Sequence, residues 1–94
     1  YNVCPHRGSQ LVLGEFGGAS QFVCPFHSWT FGLDGKNKRV TDAHTFHPDV
    51  LCHGTDLKQV RCEIAAGLVF VSMNDDVMPL RDFLGEVADH LELY

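Results

Sequence analysis

Long apolar runs are missing from this sequence. No stretch approaches the roughly 18–20 residues that a membrane-spanning helix needs, which leaves no candidate bilayer span. An excess of basic residues is missing too: seven Lys and Arg stand against twelve Asp and Glu, for a formal charge of −5. The few cations are scattered, so the basic stripe that nucleic-acid binding wants is not there. Low-complexity tracts and internal repeats are also absent. A composition of 45% hydrophobic and 20% charged residues belongs to a folded chain rather than a disordered one. Length is itself in short supply. Ninety-four residues allow one small domain with a thin core, which a metal or a disulfide staple would help. The chain opens on Tyr1-Asn2-Val3-Cys4 without a secretory signal and is expected to be a fragment of a longer protein.

What is present in quantity is histidine and cysteine, six and four respectively. Four cysteines in a short chain could be a two-bridge secreted scaffold. The histidines decide against it. Cys4-Pro5-His6 and Cys24-Pro25-Phe26-His27 each place one cysteine and one histidine in a tight loop, a regularity that a disulfide framework has no use for. Metal-bound thiolates in a reducing, cytoplasmic setting are the expectation.

A single zinc ion draws pairs of ligands from spacings of two to four residues that converge on one point. Cys-x-His suits that poorly, because its single intervening residue falls short of those spacings. Two irons remove the difficulty: Cys4 and Cys24 hold one as thiolates, and His6 and His27 hold the other through imidazole. Exchanging two thiolates for two neutral imidazoles removes negative charge and raises the reduction potential. Pro5 and Pro25 stiffen the loops and leave backbone amides free to donate to sulfur.

Around these loops the pattern reads as short strands and turns. Ser20 to Val23 is extended, and Trp29 to Leu33 meets Lys36 to Val40 across Asp34-Gly35, a two-residue hairpin signal. Thr41 to Asp56, with Pro48 and Gly54, reads as a loop. Val60, Cys62 and Ile64 alternate with polar residues and are expected to face inward, Cys62 as a small core residue. Ala65-Ala66-Gly67 turns the chain into the apolar strand Leu68 to Ser72. The period then changes: Leu80, Phe83, Leu84, Val87 and Leu91 share one face of a single helix beginning at Pro79, with Gly85 inside it at a cost of up to ~1 kcal/mol.

Cys4-Pro5-His6-Arg7-Gly8 with Cys24-Pro25-Phe26-His27-Ser28-Trp29 resembles the two loops of a Rieske [2Fe–2S] domain. Ser9 and Phe26 stand where respiratory and photosynthetic members carry a bracing disulfide. Trp29 and Phe31 stand where those members carry hydroxyl donors that raise the potential. The expected potential therefore lies near the lower end of the roughly −150 to +300 mV range. Asn2, Arg7, Trp29, Phe31 and Asp34-Gly35, with Gly67-Leu68-Val69-Phe70-Val71 and Pro79 to Gly85, make the chain similar to the large (alpha) subunit of aromatic-ring-hydroxylating oxygenases.

The resemblance implies a mostly β fold: small antiparallel sheets, cluster loops at one tip, and a C-terminal helix. It implies a Rieske domain over residues 1–78, short of its initial strands, and a helix over 79–94 leading to an absent catalytic domain. It further implies a [2Fe–2S] cluster on Cys4, His6, Cys24 and His27, and a mononuclear non-haem iron in the absent domain. The implied partners are a ferredoxin or flavin reductase as electron donor, within a homotrimer or α3β3 assembly, with no nucleic acid and no membrane. The fragment alone would not be catalytic. The rivals are a stand-alone Rieske ferredoxin and a zinc-stapled structural module. Asp42, His44, His47, Cys52 and His53 offer a second group of potential ligands, best read as the ordinary content of a polar loop. Arg7 is assigned an interface role.

Overall fold

The computed structural model describes residues 1–93 and divides the chain into two compact units, Tyr1–Gln59 and a second beginning at Val60. Tyr94, the end of the expected helical segment, lies outside the described residues. The first unit holds a three-stranded antiparallel sheet in the order β1 (Phe22–Val23), β2 (Thr30–Phe31), β3 (Asn37–Arg39). Phe22 pairs with Phe31 and Val23 with Thr30. The β2–β3 hairpin is where Asp34-Gly35 placed it, but its loop has three residues. The Gly32 N–H donates to the Lys36 carbonyl at 2.8 Å and the Gly35 N–H to the Gly32 carbonyl at 3.0 Å. Gly35 at φ 81° makes the left-handed step, and the register slips at Thr30/Phe31 as a bulge requires. Asp34 Oδ1 accepts from the Lys36 N–H at 3.0 Å and secures the turn.

The segment read as a loop from Thr41 to Asp56 contains helix. A 3₁₀ turn covers Ala43–Thr45, and α1 covers Pro48–His53. Pro48 at the first helical position has no N–H to leave unpaired. His47 caps the start by accepting from the Asp49 N–H at 3.3 Å, and Gly54 ends the helix. These are local capping signals that composition alone concealed. The following segment runs along the hairpin: Asp56 Oδ1 accepts from the Asn37 N–H at 2.8 Å, and the Leu57 N–H donates to the Gly35 carbonyl at 2.8 Å.

The second unit is a hairpin with helices. Strands β4 (Arg61–Ala65) and β5 (Leu68–Ser72) pair in register from Arg61↔Ser72 to Ala65↔Leu68. Their turn takes positive φ at both central residues, Ala66 at 49° and Gly67 at 75°, as the favoured two-residue hairpin turn demands. Alanine is strained there, whereas asparagine is not. Ala66→Asn is expected to stabilise the protein by about 0.5–1 kcal/mol, read as a higher urea midpoint at unchanged slope.

Two expectations are corrected in this unit. Cys62 and Ile64 do not face inward. Cys62 is exposed and Ile64 is 71% exposed, while Glu63, Ala65 and Phe70 on the opposite face are partly covered. Helix α2 (Leu80–Leu84) packs against β4, and its Leu80 N–H donates to Glu63 Oε2 at 3.2 Å. A polar residue thus sits on the covered face because it caps a helix.

Nor is there one C-terminal helix. Gly85, at φ 53° and ψ −133°, separates α2 from α3 (Glu86–Leu91). That backbone conformation is open only to glycine in practice. The bend scatters the expected stripe: Phe83 and Val87 are exposed, and Ala88 is the buried residue. Arg81 spans the break, donating to Asp89 at 2.7 Å and Glu92 at 2.9 Å. No helix among the described residues is long and apolar enough to cross a membrane.

Candidate metal centre

The two loops that carry the Cys/His pairs have the same backbone frame. In the first, the Cys4 N–H donates to the Ser9 carbonyl at 2.8 Å and the Gly8 N–H returns to the Cys4 carbonyl at 2.9 Å. In the second, the Cys24 N–H donates to the Trp29 carbonyl at 2.8 Å and the Ser28 N–H to the Cys24 carbonyl at 2.9 Å. A proline follows each cysteine, and each frame needs a positive φ at its fifth residue: 75° at Gly8 and 63° at Ser28. Asn2 braces the first loop from outside, its Oδ1 accepting from the Leu11 and Val12 N–H groups at 2.9 and 2.8 Å.

Ser28 is exposed and carries a side chain where its twin carries none. Relief of the left-handed strain is partly offset by glycine's larger loss of freedom on folding. Ser28→Gly should therefore stabilise by up to about 1 kcal/mol. A melting curve of the loaded protein checks this.

Folding the frames brings Cys4 and Cys24 together in the interior, 1% and 2% exposed. They form a single apolar cluster with Trp29 and with Phe31, which is completely buried. Neither is in a disulfide. A buried free cysteine is by itself an ordinary core residue; what marks this pair is that the two thiols interact directly. Burial pushes the Cys4 thiol above its ordinary pKa, helped by Cys24, while the His6 and Arg7 N–H groups act the other way. Cys24 is also pushed up by burial, but its thiol ends below the ordinary value. The Phe26 and His27 N–H groups, with the Cys4 and Ser9 side chains, outweigh the burial. Each sulfur thus receives two backbone donors from its own loop; these N–H groups favour the thiolate, while burial opposes it and prevails at Cys4.

The two histidines lie beside each other. The His6 and His27 rings are 4.8 Å apart between centroids, at 64°. Partial burial, then repulsion from the neighbouring His27 and Arg7, lowers the His6 pKa, which favours the neutral ring that metal ligation requires. His27 Nδ1 is buried with no hydrogen-bond partner. A buried imidazole nitrogen without a partner is costly, and metal ligation would satisfy it. Among the described residues no three His, Cys, Asp or Glu side chains converge as a single-ion site would need. A pair of neighbouring thiols and a pair of neighbouring imidazoles fit a two-iron cluster with split ligation.

Residues 1–61 match the Rieske [2Fe–2S] domain family. The chain belongs to that family. Its cofactor is accordingly a [2Fe–2S] cluster. The Rieske domain is also similar, over its whole length, to the glycine betaine monooxygenase oxygenase subunit of Pseudomonas aeruginosa strain UCBPP-PA14, at 34% identity over 94 residues. It is 39% identical over 95 residues, 97% of the chain, to the large oxygenase component of the naphthalene 1,2-dioxygenase system of Pseudomonas putida. It spans only 21% of either relative. The crystal structure of the apo form of a quaternary ammonium Rieske monooxygenase matches 99% of the chain at a TM-score of 0.85 and 31% identity, over 27% of that chain. The mostly β fold expected from sequence is the fold of these relatives.

The remaining ligand-type residues of the Rieske domain have ordinary positions. His44 lies in the 3₁₀ turn, His47 caps α1, and Cys52 and His53 are exposed on its last turn. Sequence reasoning missed Phe46 in the aromatic shell. The Trp29 indole lies parallel to the His6 ring at 4.7 Å and 9°, and Phe46 meets both edge-on at 5.7 and 5.5 Å. Nothing in the spacing of Phe46 pointed to the site.

Proposed function

We propose that Cys4 and Cys24 hold one iron of the cluster and His6 and His27 the other, and that the domain carries electrons within an oxygenase subunit. The cluster supplies one-electron redox chemistry when bound. The chain's own part is to hold, insulate and orient it. The paired N–H donors of each loop stabilise negative charge on sulfur. The buried Trp29 and Phe31 keep water from the thiolate side, while the partly exposed His6 and His27 give that edge access to a partner.

One observation carries the oxygenase reading over a stand-alone ferredoxin. The family match ends at residue 61, yet the likeness to oxygenase subunits continues through residues 62–94. In the whole protein, a ferredoxin or flavin reductase delivers electrons. They then pass to a mononuclear iron in a catalytic domain reached through residues 79–94. A quaternary ammonium Rieske monooxygenase has been described in terms of inter-subunit electron transfer. Such transfer here would use a homotrimer or α3β3 assembly, with Arg7 beside His6 at the subunit interface. The relatives act on small quaternary amines or on aromatic hydrocarbons, and both classes are candidates for the substrate.

The test is direct. Reconstituted protein is expected to be red-brown, with two irons and two acid-labile sulfides, and to give on reduction the low-average-g EPR signal of mixed nitrogen and sulfur ligation. One equivalent of zinc and no visible absorption would sink the proposal.

A further inference from the structure

We propose that Trp29 is a positioning residue for the cluster, joining the two ligand loops and holding the potential down through its stack on His6. The inference rests on the ligand assignment above. Trp29 belongs to the second loop, where its carbonyl accepts from the Cys24 N–H at 2.8 Å and closes the frame. Its side chain acts on the first loop, lying 4.7 Å from the His6 ring at an interplanar angle of 9°. One residue therefore fixes the backbone around one thiol and the ring plane of the imidazole from the other loop.

The indole is there for its face rather than for its N–H. Trp29 is 3% exposed, and its Nε1 is buried with no hydrogen-bond partner. No protein group accepts from that N–H, so an aliphatic side chain in the same place would give up no protein hydrogen bond. What an aliphatic side chain lacks is a planar π surface to set against the imidazole. Phe46 holds the arrangement from the side, with its ring edge-on to Trp29 at 5.5 Å and to His6 at 5.7 Å.

The electrostatic consequence has one sign. Reduction adds negative charge to the cluster and its ligands. An electron-rich ring face lying on a ligand favours the more positive, oxidised state. The same ring excludes water, which would stabilise the reduced state. Both effects lower the potential, so removing the ring raises it.

The test compares Trp29→Leu and Trp29→Phe with the parent in the cluster-loaded holoprotein, by iron and sulfide content, reduction potential and the nitrogen hyperfine couplings of the reduced state. The parent measurement judges the ligand assignment: if it shows no nitrogen coupling, that assignment fails, whatever the variants do. Given a parent signal, Trp29→Phe should retain the parent couplings and a potential close to the parent's. Trp29→Leu should shift the reduction equilibrium about tenfold toward the reduced state, 59 mV for a one-electron couple, and alter the coupling of one nitrogen. Failure of the leucine variant to load while the phenylalanine variant loads normally also supports the role. Equal potentials and couplings in the two loaded variants, or a leucine variant with parental potential and couplings, would overturn it. Should neither load, Phe46→Leu, which removes the lateral support without touching either ligand loop, decides: an upward shift supports the proposal and an unchanged potential overturns it.

Discussion

Serine in place of Cys4 or Cys24 will give protein without bound cluster: no visible absorption, no EPR signal on reduction, and iron at background. The two sulfurs sit at 1% and 2% exposure in the centre of the first unit's core. Each receives backbone N–H donors suited to a thiolate, and a hydroxyl at either place is too weak an acid to replace one. The matched controls are Cys52→Ser and Cys62→Ser, which change exposed cysteines and should leave cluster content at the parent level. Cysteine in place of His6 or His27 is the instructive contrast. It retains a donor while adding negative charge, so a cluster that assembles should have a potential lower by on the order of 100 mV. Iron content and a redox titration of the set settle these outcomes together.

Chelating the iron will unlock the first unit. Cys4, Cys24, Trp29 and Phe31 are its buried apolar cluster, so two of its four buried residues are the thiols proposed to hold a metal. Binding free energy is folding free energy in such a site. Hydrogen exchange reads it locally. The N–H groups of Cys4, Gly8, Cys24 and Ser28 close the two loop frames and should exchange about 100-fold faster in the apo protein, as expected where ligand binding has supplied nearly 3 kcal/mol. The ladder amides of β4 and β5, paired over five residues each, should change less. Protection of the four loop amides that survives chelation would mean that the frames stand without the cluster.

The site was legible because its information is local. The identity and spacing of the candidate ligands within six-residue loops survive any uncertainty about tertiary packing, and so do turn residues such as Gly35 and Gly67. What escaped depended on context. The alternation over 59–64 fixed a strand but not the face to be covered, since β5 is apolar on both sides at Val69, Phe70 and Val71. The choice fell to Glu63 through its bond to the Leu80 amide. Helical periodicity from Leu80 to Leu91 assumed a continuous backbone, and Gly85 was counted as a weak helical residue when its positive φ makes it a break. The His6–Trp29 stack joins residues on separate loops. No periodicity or spacing reports a contact of that kind.

The twin frames also set a rule for transplanting ligands. Both run six residues with the same two closing hydrogen bonds, yet histidine is the third residue of the first and the fourth of the second. As scaffolds the loops are interchangeable; as ligand carriers they are one residue out of phase. Copying Cys-Pro-Phe-His into the first loop would preserve its closure and send the imidazole out at a different point of the turn. Converting one loop's chemistry into the other's therefore requires moving the histidine, with the hydrogen-bond frame left as it stands.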